Sequence, residues 1–139
     1  MSDPYTTFLP WFTLKQIPFL GNVMIKKLID RFHTPQHIFS ASRRQLMQMP
    51  RIRKDAVSNI LRFQKYQSYA AKALERVLNQ NLNIVTLIDE AYPALLKEIP
   101  DPPPFLTYIG TLDNRSPCIS IVGSRNATTY GLSTARYLS

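Results

Sequence analysis

The sequence predicts an α + α/β chain: a helical bundle over residues 1–80 and the opening of an α/β unit over residues 81–139. Three observations lead there. Apolar residues recur at helical spacing as far as residue 79 and gather into short β-branched runs after it. The charge changes at the same place: residues 15–76 hold 13 Lys or Arg against Asp30, Asp55 and Glu75, a net of +10, whereas residues 91–139 carry a net of only +1. Between the two lies the polar stretch "LNQNLN", which reads as a domain boundary.

In the first part, "TLKQIPFLGNVMIKKLIDRF" places Val23, Ile25, Leu28, Ile29 and Phe32 at helical spacing after a Pro18/Gly21 turn. "SASRRQLMQMP" offers Ser40 or Ser42 as an N-cap and ends at Pro50. Asp55 can then cap one long helix over 55–79. On it Ile60, Phe63, Tyr66, Ala70, Leu74 and Val77 share one side. Arg62, Lys65, Lys72 and Arg76 fall within an arc of about 80° on the other. The segments "IPFLGNVMIKKLI" and "LMQMPRIRKDAVSNIL" resemble two helix-hairpin-helix units, or more loosely a sterile-alpha-motif (SAM)-like bundle. Such turns use small residues to bring backbone N–H groups close to a phosphate. Gly21 is in place here, while the second turn carries Arg51 and Arg53, followed by Lys54, whose side chains reach a phosphate themselves. Together with Arg62, Lys65, Lys72 and Arg76 they form an auxiliary basic surface, to be weighed against a merely solvated face or a protein-docking module.

In the second part, "LNIVTLID" is a run of strand length and "DEAYPALLKEI" a short helix with Asp89 or Glu90 near its start. "PDPPP" is a stiff extended connector. "FLTYIG" is a second strand and "CISIVG" a third, apolar enough to be buried on both faces of a parallel sheet. "GLSTARYLS" opens a helix.

The chain has four glycines, and two of them bracket the loop of "ISIVGSRNATTYG". A buried strand that ends at Gly123 and passes through a short polar loop into a helix aims backbone N–H groups and the positive helix end at one spot, which favours an anion. Gly123 and Gly131 allow tight turning or close approach of a ligand, and Arg125 supplies a planar cationic fork. Ser124, Thr128 and Thr129 add hydroxyls, and Tyr130 can stack on a base or pack the helix. The spacing matches neither a dinucleotide fingerprint nor a Walker loop.

Composition narrows the partners. A formal charge of +8 and a pI near 9.9 favour a polyanion. The single Cys118 excludes an internal disulfide framework and fits a reducing, cytoplasmic setting. The opening "MSDPYTTFLPWF" is no signal peptide, and no apolar run is long enough to cross a membrane. His33 and His37 have no third ligand, and no acid and base are paired, so neither a metal site, a cofactor nor catalysis is expected.

The ordered pair "YPALLKEIPDPPPFLTYIGTL" and "ISIVGSRNATTYG" resembles the DNA-processing protein A family (DprA, also called Smf). The resemblance is strong over about residues 92–131 and looser before. It implies an extended Rossmann-like fold in the second part, of which this chain would hold only the beginning. It also implies a non-catalytic protein of natural transformation that protects incoming single-stranded DNA and helps load the RecA recombinase. Gly123, Ser124 and Arg125 would then line a DNA phosphate pocket, with Tyr130 and Gly131 completing the loop, and the full-length protein would be a homodimer. The alternative is a Rossmann-like nucleotide-processing enzyme, such as a phosphoribohydrolase of the kind called lysine decarboxylase-like, whose first strand also ends in a Gly-Ser loop.

Overall fold

The computed structural model describes residues 3–112 and 121–138. Helix α1 (Pro4–Gln16) starts on Asp3, whose carboxylate accepts from the backbone N–H groups of Tyr5 and Thr6, with Pro4 where no donor is needed. Trp11, Phe12, Thr13 and Leu14 are all buried. Four consecutive residues at about 100° each sweep most of a helix's circumference, so α1 must be covered on nearly every side. Thr13 meets this environment by donating its hydroxyl to the Leu9 carbonyl at 2.8 Å.

Helices α2 (Asn22–Phe32), α3 (Pro35–Ser40), α4 (Arg43–Met47) and α5 (Lys54–Ile60) supply part of that cover. Ile25, Leu28 and Ile29 of α2, Ile38 of α3, Leu46 of α4 and Val57 and Ile60 of α5 share one core with Trp11 and Leu14 of α1. Of the two candidate caps, Ser42 starts α4, in a reciprocal capping box with Gln45. Helix α6 (Gln64–Asn79) lies against α1, its Ala70 and Leu74 packed with Phe12.

The single long helix expected over 55–79 is broken. The chain turns at Leu61–Phe63 through i→i+3 hydrogen bonds, Arg62 N–H to Asn59 O and Phe63 N–H to Ile60 O, both 3.1 Å. No Gly or Pro marks the break in the sequence. Phe63 stacks on Phe39 with ring centroids 4.2 Å apart and planes 9° from parallel, a contact that favours redirecting the chain.

Strand β1 (Asn83–Thr86) pairs antiparallel with β2 (Phe105–Tyr108), with Asn83 opposite Tyr108 and Thr86 opposite Phe105. Among the described residues these two strands form the sheet. The α/β expectation is therefore met only as a mostly helical body with a small two-stranded sheet. The third strand expected over 118–123 lies outside the described residues as far as 120, and Ile121–Gly123 are irregular and exposed, without a paired neighbour among the described residues.

The helix expected across "DEAYPALLKEI" shortens to α7 (Ala94–Glu98), because a residue before proline disfavours the helical region and Pro93 follows Tyr92. Asp89 caps nothing there. Its carboxylate folds back to accept from the Thr86 N–H at 2.7 Å and the Thr86 hydroxyl at 2.9 Å, closing the turn after β1. Tyr92 is buried in the helical core and donates its hydroxyl to the Pro103 carbonyl at 2.8 Å, pinning the proline connector. Phe105 stacks on Phe12 at 4.2 Å, so β2 rests on α1.

Burial pushes the Tyr92 phenol above its ordinary value. A raised pKa means the folded state holds that proton more tightly, so its contribution is complete below about pH 10 and declines as pH rises further. Tyr92→Phe should cost about 1 kcal/mol in urea denaturation, since it removes the hydrogen bond to the carbonyl of half-buried Pro103. It should also remove part of the stability loss seen between neutral and strongly alkaline pH.

Candidate nucleic-acid interface

Three exposed basic or polar regions come from the residues singled out in the sequence. The first is a pair of matched turns. Ile17-Pro18-Phe19-Leu20-Gly21 leads into α2 and Met49-Pro50-Arg51-Ile52-Arg53 leads into α5. In both, the first residue is buried and its carbonyl accepts from the fourth residue's N–H, at 3.4 Å from Leu20 and 3.3 Å from Ile52. In both, the third residue has φ of 64°, and it is Phe19 in one and Arg51 in the other. That left-handed conformation costs a residue with a β-carbon on the order of 1 kcal/mol, which glycine would avoid. The fifth residue, Gly21 or Arg53, takes extended N-cap geometry with no side-chain capping bond.

The two turns touch. The Arg53 guanidinium carbon lies 4.9 Å from the centroid of the Phe19 ring, and Asn59 Nδ2 donates to the Pro18 carbonyl at 3.4 Å. Lys15 reaches the start of α2, where it donates to Asn22 Oδ1 at 2.6 Å. Arg51, Arg53 and Lys54 are all exposed.

The second region is the outer face of α6. Lys65, Lys72 and Arg76 are exposed and fall within about 40° of one another at ~100° per residue. Arg62 was expected on this row, but the break at 61–63 takes it off the helix. Tyr69 joins the row instead, 68% exposed. Its four-residue spacing from Lys65 is the signal in the sequence that places it on this row.

The third is the loop. Residues 121–128 are exposed, and helix α8 (Thr129–Leu138) follows. The Ser124 hydroxyl accepts from the Asn126 N–H at 3.3 Å, a local turn with Arg125 at its apex. Thr128 caps α8: its hydroxyl accepts from the Gly131 N–H at 3.1 Å and its carbonyl from the Leu132 N–H at 3.0 Å. Among the described residues, nothing beyond its two chain neighbours lies within 4 Å of where a β-carbon on Gly123 would sit. Tyr130 is 80% exposed rather than packed.

A cleft of about 470 Å³ lies elsewhere, lined by Lys26, Asp30, His33, Leu87 and Lys97 among others. Lys26 is engaged there, donating to the Lys97 and Ile99 carbonyls. Among the described residues, no cluster of three His, Cys, Asp or Glu side chains could hold a metal ion. Cys118 lies outside the described residues. Among the described residues, no helix is long and apolar enough to cross a membrane.

The family described as DNA recombination-mediator protein A matches residues 83–139, which include the loop and α8. Protein Smf of Synechocystis sp. (strain ATCC 27184 / PCC 6803 / Kazusa) is 31% identical over 134 residues, 93% of this chain. This chain belongs to the DprA/Smf family. It spans 33% of the length of the Synechocystis Smf protein, about a third. No solved structure matches it. In this DprA/Smf chain the family match begins at β1, whereas the identity to Smf extends across the helical part as well.

Loss of the cap should be felt locally. Thr128→Ala should destabilise the start of α8 by about 1 kcal/mol, read as faster amide exchange at Gly131 and Leu132, and Thr128→Ser should restore protection.

Proposed function

We propose that this chain belongs to a non-catalytic recombination mediator that holds single-stranded DNA by its phosphates. The observation that carries the reading is the exposed Gly123–Arg125 turn set immediately before a capped helix N-terminus. Arg125 approaches a phosphate as a bidentate donor, with the Ser124 hydroxyl beside it. Open space over Gly123 admits the phosphate against the backbone, and unpaired N–H groups of the first turn of α8 face negative charge. Tyr130, next to Gly131 at the helix start, offers a face on which a base stacks.

Lys65, Lys72 and Arg76, with Arg62 near their row, add sequence-independent attraction. Tyr69 among them suits an unpaired strand, whose bases are free to stack on aromatic rings.

In this reading residues 81–139 open a Rossmann-like DNA-binding domain and residues 1–80 form a SAM-like or helix-hairpin-helix-like domain. The protein works in the cytoplasm on strands taken up during natural transformation, protecting them and passing them to RecA. It acts as a homodimer, joined through the Rossmann-like portion. The family match over residues 83–139 supports the reading, since it contains the whole loop.

Fluorescence anisotropy of labelled oligo-dT tests it. Arg125→Ala should weaken binding by about 1.5–3 kcal/mol, the range for a charge-assisted hydrogen bond. The salt dependence should become shallower, with no change in sequence preference. Undiminished affinity in this variant would move the strand away from the loop.

A further inference from the structure

We infer that residues 93–101 form a latched strap, which opens and closes as a unit while its two ends stay fixed, and that Lys26 is its latch. The inference is independent of the DNA-binding reading and concerns the joint between the helical part and the family-matched part.

The first argument is the anchoring of the ends. Buried Tyr92 donates to the Pro103 carbonyl at 2.8 Å, and Pro102 and Pro104 are themselves buried. The Pro104 carbonyl accepts from the Leu87 N–H at 3.0 Å, which ties the far end to the chain leaving β1. The stretch between these anchors therefore leaves the core and returns to it at one place, as an Ω-loop does.

The second argument is how little holds the middle. Helix α7 buries no residue, and within 93–101 Pro93 and Leu96 are half-buried while the rest are exposed. Leu95 is 79% exposed. A helix of five residues does not persist by itself. Segments with few buried contacts and solvent-exposed hydrogen bonds open locally, at a free energy below that of global unfolding.

The third argument is what does hold it. Lys26 Nζ donates to the Lys97 carbonyl at 2.8 Å and to the Ile99 carbonyl at 3.1 Å. Asn22, one turn earlier on α2, donates from Nδ2 to the Asp101 carbonyl at 3.3 Å. Its amide is oriented by Lys15, which donates to Asn22 Oδ1 at 2.6 Å. The carbonyls that Lys26 serves lie at the C-terminal end of α7, where helix carbonyls lack partners and a cation is favoured. One ammonium closes two bonds there, so its loss releases both.

Opening has a consequence for the cleft of about 470 Å³. Lys97 lines it from the strap, and Ile29, Leu87 and Ile88 line it from the body. Lifting the strap carries the Lys97 wall away and widens access to those apolar residues. Lys26 thus governs both the joint and the cleft.

Limited trypsin digestion of the full 139-residue chain, resolved site by site by mass spectrometry, tests the latch. Cleavage after Lys97 needs the strap open, and where opening is fast its rate follows the open population. Lys26→Met keeps the bulk of the side chain and removes the donor. It should raise cleavage after Lys97 about tenfold, the effect of losing a charged hydrogen-bond donor, with cleavage after Lys72 on α6 changed by less than about twofold. Lys26→Arg supplies donors for both carbonyls and should return cleavage to the parent rate. Asn22→Ala should raise it about threefold, as a neutral hydrogen bond is lost. Unchanged cleavage after Lys97 in Lys26→Met would overturn the latch. A rise shared equally by Lys72 would overturn it too, because Lys26 would then support the whole fold and not the strap. Both outcomes leave the single-strand reading to its own test at Arg125.

Discussion

Helix α1 buries residues on nearly every side, and that requirement organises the rest of the molecule. An amphipathic helix needs one partner, but Trp11, Phe12, Thr13 and Leu14 need a closed shell. Helices α2 to α5 close it around Trp11 and Leu14, α6 closes it around Phe12, and β2 completes the second cluster through the Phe12–Phe105 stack. Each buried aliphatic or aromatic side chain contributes roughly 1.5–3 kcal/mol. The shell is thus the main source of stability for helices such as α4 and α5, which are too short to persist alone. The strands depend on it as well. A two-stranded sheet is marginal in water, and this one is held because its apolar face rests on α1 and α6.

The same shell explains where the charge goes. Lys and Arg are almost never buried unpaired, so a net excess of cations in the helical part must appear on its outside. Two of the resulting placements follow directly from the packing. On α6 the face opposite Ala70 and Leu74 is left for Lys65, Lys72 and Arg76. At the matched turns the apolar first residues Ile17 and Met49 point inward and anchor the loop, which pushes the third and fifth residues into solvent. Basic display in this protein is therefore the outer side of its packing.

Much of this was legible in the sequence. The turn at Pro18, the Ser42 cap and the strands around Ile84 and Leu106 all follow from local rules that operate within a few residues. So does the polar loop before a helix at Thr129. The break at Leu61–Phe63 was not legible, because nothing local requires it. The apolar spacing continues through it, and the stack of Phe63 on Phe39 joins residues 24 apart in sequence. The antiparallel pairing of β1 and β2 also depends on what lies between them. Tyr92, bonded to Pro103, draws the proline connector back onto the core and returns the chain beside β1. At the loop, the residue types that suggested phosphate binding are readable, whereas Thr128, read there only as one of several hydroxyls, caps α8. The open space over Gly123 among the described residues is a tertiary property that no local rule gives.

The matched turns carry a tension between stability and display. A glycine at position 19 or 51 would relieve a conformation that costs on the order of 1 kcal/mol, and each turn already has its proline and buried anchors to fix it. Marginally stable proteins retain such a cost where the side chain does something glycine cannot. For Phe19 the structure supplies that use, a ring face under Arg53 that also ties one turn to the other. Arg51 has the same φ and the same place in its turn, but its side chain is exposed. Among the described residues no contact of the Arg51 side chain offsets that strain, so within the fold the cost at Arg51 is unrelieved where the cost at Phe19 is not.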